Sequence, residues 1–504
     1  MRLSELVQGL TLIDLHGDAE VHSLQIDSRQ VQPGTLFVAL KGTRHDGHQF
    51  VADALARGAC GVVVSDRSAL PQTASAWVVV PDTREALWQL AQRLYRHPSA
   101  YLTVIGVTGT NGKTTTTHYL QKILATAGLP TLLIGTLGTY LETPEEERTP
   151  FGEPLDFTTP EIYQLQQLIA QAQQHDVKAV VMEVSSHALD QKRTDGIAFD
   201  GGVFTNLTQD HLDYHHTMEA YARAKRRLFT DLARQSEKPY RAVICIDTEW
   251  GAWFAESAEG TLWTYGTIPD ARVRATDALF HSAGIEFTVR WDGAPFRVRT
   301  QLPAPYNLHN ALGAITAALS LGIAPEAVQE GVARLERVPG RFERVPVPAP
   351  FEVFVDFAHT PDALQRVLET ARRMNPTRLT IVFGCGGDRD PHKRPRMGAI
   401  AEQLADRIVL TSDNPRTEDP NTILRDIQSG LTGKPGTSVI VEPDRRQAIY
   451  SALATAQPGE IILLAGKGHE TYQIIGATKY PFSDREVVLG FFRNSHQEEG
   501  AKQR

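Results

Sequence analysis

Short apolar runs alternate with amphipathic segments along most of the chain. Near the N-terminus the apolar runs, each of a length that suits one strand, are residues 36–40, 61–66 and 77–80. Segments with helical spacing lie at residues 52–57 and 82–95, and Asp82 is the expected N-cap of the second. This alternation predicts a small α/β domain over residues 1–97.

The most informative pattern is a β-branched apolar run at residues 102–107 that breaks into a glycine-rich turn and then a row of threonines. It predicts a buried strand, a turn and a helix start. The backbone N–H groups of such a turn and the positive end of the helix dipole face an anion. Lys113 would add a charge there, and the Thr114 hydroxyl could ligate Mg²⁺. The chain has Val107 where the general P-loop pattern has glycine, but the context still predicts nucleotide binding rather than a solvated lysine.

Two further apolar runs of the predicted central domain, residues 98–338, end in polar side chains. Residues 178–183 predict a buried strand that ends at Glu183, where phosphate-loop domains usually place a Mg²⁺ ligand. The strand predicted at residues 202–207 is followed by a polar loop and a helix, which carry Asp210, His211, Asp213, His215 and Lys225. These groups favour a site, although spacing alone does not say which of them bind.

The end of the central domain contains an amphipathic helix, predicted at residues 306–319. Asn307 and Asn310 lie near its start, where they could cap the helix or hold a base, and the spacing leaves both alternatives open. A Pro-Gly junction at residues 338–345 then predicts the linker to a third domain, residues 339–504.

The third domain contains five apolar runs, and each of them ends in a polar cluster. This is the pattern of a parallel sheet whose ligands bind at the carboxyl ends of the strands. Arg389, Asn414 and Arg416 follow these runs and suit a small substrate that carries a carboxylate.

Composition narrows the class of protein. A length of 504 residues suggests about three domains. The net charge of −8 without a basic block argues against nucleic acid as a main partner. Three cysteines without CxxC spacing favour neither a disulfide framework nor a zinc site, which suits a cytoplasmic protein. No apolar run is long enough to span a membrane and no signal peptide is evident, so we expect a soluble protein, and a monomer.

A series of motifs resembles the Mur ligase family, in the order in which that family carries them. These motifs are GTNGKT (109–114), EVSSH (183–187), TNLTQDHLDYH (205–215), YARAKRRLF (221–229), NLHN (307–310), GRFE (340–343) and DFAHTP (356–361). They cover the central and C-terminal domains. Three more are similar to those of the diaminopimelate-adding branch, namely DSR (27–29), DNPR (413–416) and GKGHE (466–470).

The resemblance implies a fold and an activity. The fold would be a small N-terminal α/β domain that binds a UDP-sugar, a central P-loop ATPase-like domain with a parallel sheet, and a Rossmann-like C-terminal domain that binds the amino acid. The activity would be ATP-dependent addition of meso-2,6-diaminopimelate to UDP-MurNAc-L-Ala-D-Glu through an acyl phosphate, in cytoplasmic peptidoglycan precursor synthesis. Diaminopimelate differs from lysine by a distal carboxylate, and Arg416 would supply the matching cation.

The resemblance also implies the residues of each site. For ATP they are Gly109, Thr110, Asn111, Gly112, Lys113, Thr114, Thr115, Asn307, Asn310, Arg341 and Asp356. Thr114 and Glu183 would hold one Mg²⁺ and His211 and Lys225 a second, with Lys225 carbamylated by CO₂; Lys113, Glu183, His211 and Lys225 are the implied catalytic residues. The UDP-sugar side would use Ile26, Ser28, His48, Gln49 and Phe50, and the peptide side Thr158, Thr159, Ser185, Gln191 and Arg193. The amino-acid pocket would use Arg389, Asp413, Asn414, Pro415, Arg416, Gly466 and Glu470.

Other functions remain alternatives. A lysine-adding Mur ligase is not expected to keep arginine at 416. A folylpolyglutamate synthase shares the phosphate loop but is not expected to carry DNPR or the N-terminal region. A P-loop regulatory switch needs no second α/β domain with its own pocket. A catalytically inactive scaffold is disfavoured because the four implied catalytic residues and Thr114 are all present.

Overall fold

The computed structural model describes residues 1–42, 45–146, 148–153, 157–281 and 283–502, with the backbone alone from 494 to 502. The chain forms two compact units. The first contains Met1–Asp277, Phe287–Val298 and His309–Arg334, and the second contains Ala278–Glu286, Arg299–Leu308 and Leu335–Arg504. The three-domain boundaries at residues 97 and 338 stay predictions.

The N-terminal part of the first unit is a five-stranded sheet with helices on it. Its elements are α1 Leu3–Leu6, β1 Asp14–His16, β2 Ser23–Gln25, β3 Thr35–Val38, α2 Val51–Ala56, β4 Gly61–Val64, β5 Trp77–Val79 and α3 Thr83–Leu94. The strand order is β1-β5-β4-β3-β2, with β2 to β5 parallel and β1 antiparallel to β5. The Asp82 side chain accepts hydrogen bonds from the N–H groups of Arg84 and Glu85, which confirms the predicted cap.

A larger sheet follows at a short 3₁₀ turn, Pro98–Tyr101. Its strands are β6 Thr103–Thr108, β7 Thr131–Gly135, β8 Gly138–Glu142, β9 Thr149–Pro150, β10 Ala179–Glu183, β11 Gly201–Phe204, β12 Arg241–Cys245, β13 Thr261–Gly266, β14 Val273–His281, β15 Gly284–Arg290 and β16 Phe296–Thr300. The order is β16-β15-β14-β13-β12-β11-β6-β10-β7-β8-β9. The strands from β13 to β7 in this order are parallel, so the carboxyl ends of β6, β10 and β11 lie side by side.

The helices associated with this sheet are α4 Lys113–Thr126, α5 Ile162–Gln173, α6 Ser186–Asp190, α7 Leu212–His215, α8 Met218–Arg226, α9 Asp231–Gln235, α10 Glu249–Glu256, α11 Asn307–Ser320 and α12 Pro325–Arg334. The predicted strand–turn–helix at the phosphate loop is confirmed by β6 and α4. The polar segment predicted as a loop contains one helical turn, α7, which is too short to leave a periodic pattern in the sequence.

The second unit is organised around a six-stranded sheet with the order β17-β18-β22-β19-β20-β21. Its elements are β17 Glu343–Val345, β18 Glu352–Asp356, α13 Pro361–Arg373, β19 Leu379–Phe383, α14 Lys393–Leu404, β20 Arg407–Leu410, α15 Pro420–Gln428, β21 Ser438–Val441, α16 Arg445–Ala454, β22 Ile461–Ala465, the hairpin β23 Tyr472–Ile475 and β24 Thr478–Pro481, and α17 Asp484–Lys502. Only β17 is antiparallel among the six described strands. The five apolar runs of the sequence are thus five parallel strands, as predicted.

Both faces of this sheet are buried. Leu463 of β22 packs into a cluster with α13 to α15, while its neighbours Ile462 and Leu464 pack into a cluster with α16 and α17. Strands that are buried on both faces have almost continuously apolar sequences, which explains the apolar runs of this part of the chain. In the described part of the chain, no helix has the length and apolar character needed to cross a membrane.

Candidate functional site

The turn between β6 and α4 has the glycine-rich backbone that the sequence predicts for a phosphate loop. Gly109 and Gly112 have positive φ angles of 150° and 87°. A Cβ atom on Gly109 would lie 1.9 Å from Thr205 Oγ1, and one on Gly112 would lie 2.2 Å from Asn310 Oδ1, so only glycine fits either position. Helix α4 begins at Lys113 and presents its N-terminus to the loop.

The segment after β11 braces this loop. The Asn111 backbone N–H donates to Asn206 Oδ1 at 3.1 Å, and the Asn111 carbonyl accepts from Thr205 Oγ1 at 2.6 Å. The Thr110 hydroxyl donates to the Thr208 carbonyl and accepts from the Thr208 N–H. These bonds hold the loop backbone in one conformation. TNLT, the start of the 205–215 motif, therefore acts as a support for the phosphate loop.

Two lysines meet at one carbonyl oxygen of the loop. Lys113 Nζ donates to Gly109 O at 2.9 Å, and Lys225 Nζ from α8 donates to the same oxygen at 2.8 Å. Lys225 is buried, and burial together with the charge of Lys113 holds its pKa well below the usual value. Lys225 therefore lies at the phosphate loop, where the sequence placed it only by resemblance.

Glu183 ends β10, which pairs with β6 so that Glu183 is opposite Val107. Its side chain is 1% exposed and accepts hydrogen bonds from the N–H and the hydroxyl of Thr136. Among the described residues, no basic side chain forms an ion pair with it. A buried carboxylate without a cation beside a phosphate loop fits a divalent metal ligand. Thr114, in the first turn of α4, is also buried.

His211 lies at the start of α7 with a left-handed backbone, φ 53°. Its side chain is 43% exposed, and its ring centroid is 4.8 Å from that of His187. Desolvation lowers the pKa of His211 to about 4, against the opposing charge of Asp210. Within the described ranges, no three His, Cys, Asp or Glu side chains are grouped so that they alone could hold a metal ion.

The peptide-side residues predicted by resemblance lie together around the end of β10. Thr159 Oγ1 donates to the Glu183 carbonyl at 2.9 Å and accepts from the Ser185 N–H at 3.1 Å. Arg193 donates to Gln191 Oε1 at 2.5 Å and to the Thr159 carbonyl at 3.3 Å. Thr158 joins the group because its hydroxyl is 3.0 Å from that of Thr136, which also contacts Glu183.

Arg193 is held by a carboxylate that the sequence reading missed. Glu161, before α5, lies 3.1 Å from Arg193 Nε and 2.6 Å from Arg84 Nη1 of the N-terminal sheet region. It is buried, and its partners are 32 and 77 residues away in sequence, so no local pattern indicates the contact. A second link joins the same regions, because Tyr163 donates to Gln25 Oε1 at 2.7 Å.

Four of the UDP-sugar residues predicted in the N-terminal region lie on two 3₁₀ turns, Ser28–Gln30 and Gly47–Phe50, and Ile26 lies just before the first turn. The Ile26 N–H donates to Gln25 Oε1, and Ser28 is buried. His48 has both ring nitrogens engaged, because Nε2 accepts from the Ser65 N–H and Nδ1 therefore carries the proton near Asp46, at 2.6 Å. Gln49 and Phe50 are exposed. His48 thus shapes the turn, and its neighbours present the accessible surface.

The remaining ATP-side residues are divided between the two units. Asn310 is buried against Gly112 in the first unit. In the second unit, Asp356 ends β18 and accepts from the N–H groups of Phe342 and Ala358. Burial raises the pKa of Asp356 to about 6, and the nearby charge of Arg341 opposes this shift. Asn307 is buried in the part of α11 that belongs to the second unit.

The amino-acid residues predicted by resemblance lie at the carboxyl edge of the six-stranded sheet. Asn414 Nδ2 donates to Glu470 Oε2 at 2.8 Å. A Cβ atom on Gly386 would lie 3.0 Å from Arg416 Nη1 and 3.8 Å from Arg389 Cγ, so the two arginines flank this glycine. The turns after β19, β20 and β22 therefore supply one cluster, to which Asp413, Pro415 and Gly466 contribute backbone and buried surface.

Lys467 belongs to this cluster, and the sequence reading did not single it out. It is fully buried, and Nζ donates to Glu470 Oε2 at 2.9 Å and to Asn414 Oδ1 at 3.1 Å. A lysine between two glycines in a turn suggests a solvated side chain. Its position between Gly466 and Gly468 of the GKGHE motif was the only available signal.

Three family models match the chain in order. They are the Mur ligase family catalytic domain over residues 20–95, the Mur ligase middle domain over 107–318, and the Mur ligase glutamate ligase domain over 340–468.

Curated relatives resemble the chain over nearly its whole length. The UDP-N-acetylmuramoyl-L-alanyl-D-glutamate–2,6-diaminopimelate ligase of Geobacter metallireducens is 43% identical over 98% of either chain. The ligase of the same name from Gloeobacter violaceus is 46% identical over 96% of this chain and 97% of the relative.

Solved structures agree with this relationship. A structure of a ligase of that same name is 33% identical, covers 94% of this chain and 95% of its own, and has a TM-score of 0.66. A folylpolyglutamate synthase from Mycobacterium tuberculosis covers 76% of this chain at 20% identity with a TM-score of 0.60, which reflects the fold alone. With relatives this similar from end to end and three matched domains, the chain belongs to the Mur ligase family.

Proposed function

We propose that this chain is an ATP-dependent ligase that joins meso-2,6-diaminopimelate to a carboxylate of D-glutamate in UDP-MurNAc-L-Ala-D-Glu, in the synthesis of the peptidoglycan precursor. The relatives that match it from end to end carry the name of that ligase. The observation that carries the proposal is the cluster of Asn414, Arg416 and Glu470 at the sheet edge of the second unit.

The reaction would take two steps. A carboxylate oxygen of D-glutamate attacks the γ-phosphorus of ATP, which gives an acyl phosphate and ADP. The unprotonated amine of diaminopimelate then attacks the acyl carbon, and the tetrahedral intermediate expels phosphate while the nitrogen loses a proton. Both the acyl phosphate and the intermediate are anionic, so the protein must mainly supply positive charge and fixed donors.

The phosphate loop can supply both. Its amides and the N-terminus of α4 would bind the phosphates of ATP, with Lys113 adding a charge. Asn310, packed against Gly112, would fix the loop from the side. Arg193, held by Glu161 and Gln191, would orient the acceptor peptide in front of Ser185 and Thr159.

The donor set suits Mg²⁺. Thr114 offers a hydroxyl and Glu183 a buried carboxylate without a basic partner in the described chain, and both are hard oxygen ligands. His211 lies near the loop at the start of α7 and would complete a second site with Lys225. When bound, Mg²⁺ would offset the negative charge of the phosphates.

Lys225 has a reason to be carbamylated. It and Lys113 are two cations on a single carbonyl oxygen, at 2.8 and 2.9 Å. The neutral form of the Lys225 amine attacks CO₂, which forms an N–C bond and releases one proton. Counted from the ammonium form, two protons leave and a carboxylate replaces a cation. That carboxylate is the kind of ligand that Mg²⁺ prefers.

The test of the proposal is phosphate release from ATP by the purified protein with Mg²⁺ and UDP-MurNAc-L-Ala-D-Glu. The three arms contain meso-diaminopimelate, L-lysine or no amino acid. We expect phosphate release only in the arm that contains meso-diaminopimelate. Release with lysine would keep the family and overturn the amino-acid assignment, and tight ATP binding without release in any arm would favour a nucleotide-binding switch.

A pair of variants tests the arginine. Arg416→Ala removes the proposed partner of the distal carboxylate, a charge-assisted contact worth about 2–3 kcal/mol, or roughly 30- to 150-fold in kcat/KM for diaminopimelate. Arg425→Ala removes an exposed arginine of the same unit and serves as the control. The KM for ATP should stay close to the wild-type value in both. Equal loss of nucleotide affinity in Arg416→Ala would make that residue structural.

A further inference from the structure

Lys467 is enclosed by groups that the proposed function assigns to the amino-acid pocket. Its side chain is fully buried, and Nζ lies 2.9 Å from Glu470 Oε2, 3.1 Å from Asn414 Oδ1 and 3.6 Å from Asp413 Oδ1. An ammonium group has three N–H donors. Two of them bind Glu470 and Asn414, and the Asp413 carboxylate lies beyond hydrogen-bond distance. Because the Lys467 side chain is fully buried, we expect its influence to pass through these neighbours.

The lysine fixes which way the Asn414 amide points. Asn414 Oδ1 accepts from Lys467 Nζ and also from the Ile474 N–H, at 2.9 Å. Both partners are donors, so the atom that faces them must be the oxygen, and the amide nitrogen must be on the other side. That nitrogen donates one hydrogen to Glu470 Oε2 and has a second hydrogen available for a carboxylate.

The lysine also fixes Glu470. Its Oε2 atom accepts hydrogen bonds from both Lys467 Nζ and Asn414 Nδ2, which leaves Oε1 as the oxygen available to an ammonium group. A zwitterionic amino-acid centre presents one carboxylate and one ammonium close together. Asn414 and Glu470, held at 2.8 Å from each other, offer a donor and an acceptor in the matching arrangement.

The hairpin β23–β24 holds the next part of the pocket in the same way. Arg416 has a left-handed backbone, φ 51°, which a residue with a side chain adopts only when its surroundings impose it. Its N–H donates to the Ile474 carbonyl, and its carbonyl accepts from the Gly476 N–H. Ile474 thus contacts both Asn414 and Arg416, and Lys467 secures the Asn414 end of this arrangement.

We infer that Lys467 is a positioning residue for recognition of the amino-acid substrate, acting by orienting the Asn414 amide and the Glu470 carboxylate. The inference rests on the proposed function, because it needs an amino-acid substrate at this cluster. It adds a residue whose removal should change the use of diaminopimelate and leave the use of ATP unaltered.

The test measures KM for meso-diaminopimelate and for ATP, kcat and the melting temperature in full-length Lys467→Met and Lys467→Gln. Glutamine keeps a donor for Asn414 without the charge, and it replaces the methionine variant if that does not fold. We expect KM for diaminopimelate to rise at least about tenfold in the methionine variant, less in the glutamine variant, and KM for ATP to stay within about twofold.

The matched control is Arg378→Met. Arg378 precedes β19 at the opposite edge of the same sheet and pairs with the buried Glu460. Its removal also breaks a partly buried ion pair, so the melting temperature should fall while the ratio of the two KM values stays the same. A fall in stability alone therefore cannot account for a change in that ratio.

A double variant separates positioning from an independent effect. If Lys467 acts through Glu470 and Asn414, adding Lys467→Met to Glu470→Gln should raise KM for diaminopimelate clearly less than the roughly tenfold expected in the wild-type background, because only the contact with Asn414 is left to lose. Multiplicative effects of the two changes, or parallel changes in both KM values, would overturn the inference. A wild-type protein that releases no phosphate with diaminopimelate would instead refute the proposed function, and this inference with it.

Discussion

Replacement of Gly112 by alanine tests whether the phosphate loop depends on its packing against Asn310. Gly112 has φ 87°, and a Cβ atom there would lie 2.2 Å from Asn310 Oδ1. An ordinary contact needs more than 3.4 Å, so one of the two groups would have to move by about 1 Å. Asn310 is buried and hydrogen bonds hold the loop, so movement of either group would disturb contacts that shape the loop.

Gly128, just after α4, provides a matched control. It has the same φ of 87°, but a Cβ atom there meets nothing within 4 Å. Alanine at either position adopts a left-handed backbone, which costs about 1–2 kcal/mol of unfolding free energy. The contact with Asn310 is specific to Gly112.

The assay combines thermal melts with calorimetric titration of an ATP analogue and measurement of turnover. Gly112→Ala should lose at least as much stability as Gly128→Ala, and it alone should lose turnover, by on the order of 100-fold for a displacement of about 1 Å. If Gly128→Ala weakened nucleotide binding equally, backbone strain would be the cause. If Gly112→Ala bound and used ATP normally, our account of the loop would be wrong.

Three further predictions concern pH, stability and the buried lysine. Hydrogen-bond donors from residues 432–434 lower the pKa of Glu402 to about 2. The wild-type protein should therefore be more stable than Glu402→Gln above pH 4.5, and this difference in unfolding free energy, measured with urea, should disappear as the pH falls towards 2. Arg445→Met leaves the fully buried Asp484 without its cation and should lower the free energy of unfolding by about 3–5 kcal/mol, measured by hydrogen exchange of the β22 amides. The control, Arg425→Met, removes an exposed arginine and should lower it by less than about 1 kcal/mol. Equal losses in the two variants would contradict the burial argument. Lys225→Ala should abolish turnover and be partly rescued by a short added carboxylate, and a wild-type rate without rescue would exclude the carbamate.

Most elements of the fold could be predicted from the sequence because each has a local cause. Parallel strands buried on both faces appear as apolar runs, and Asp82 and Gly112 mark the starts of α3 and α4 by local chemistry. The helical turn α7 was missed because four residues contain no periodicity. The antiparallel strands at the edges are short and partly exposed, so their pattern is equally weak.

The candidate site could be predicted where a motif carries the chemistry, and not where a fold brings distant residues together. Lys113 and Glu183 follow strands that are neighbours in the sheet, so their proximity could be expected. The contacts of Glu161 with Arg84 and Arg193 depend on how α3 and α5 pack, which periodicity does not specify. His48 shows that a motif can also predict a binding residue whose side chain is already engaged. Both of its ring nitrogens contact residues of its own domain.

Buried lysines with opposite surroundings explain why residue type alone is a poor guide to role. Lys225 shares one carbonyl oxygen with a second ammonium group, so its charge is opposed by its surroundings and chemical modification would relieve that opposition. Lys467 lies among two carboxylates and an amide oxygen, so its charge is needed where it is and its modification would leave those groups without a cation. A reagent that carbamylates neutral amines should therefore react at Lys225 in protein from which CO₂ has been removed, and mass spectrometry of the native protein can locate the modification.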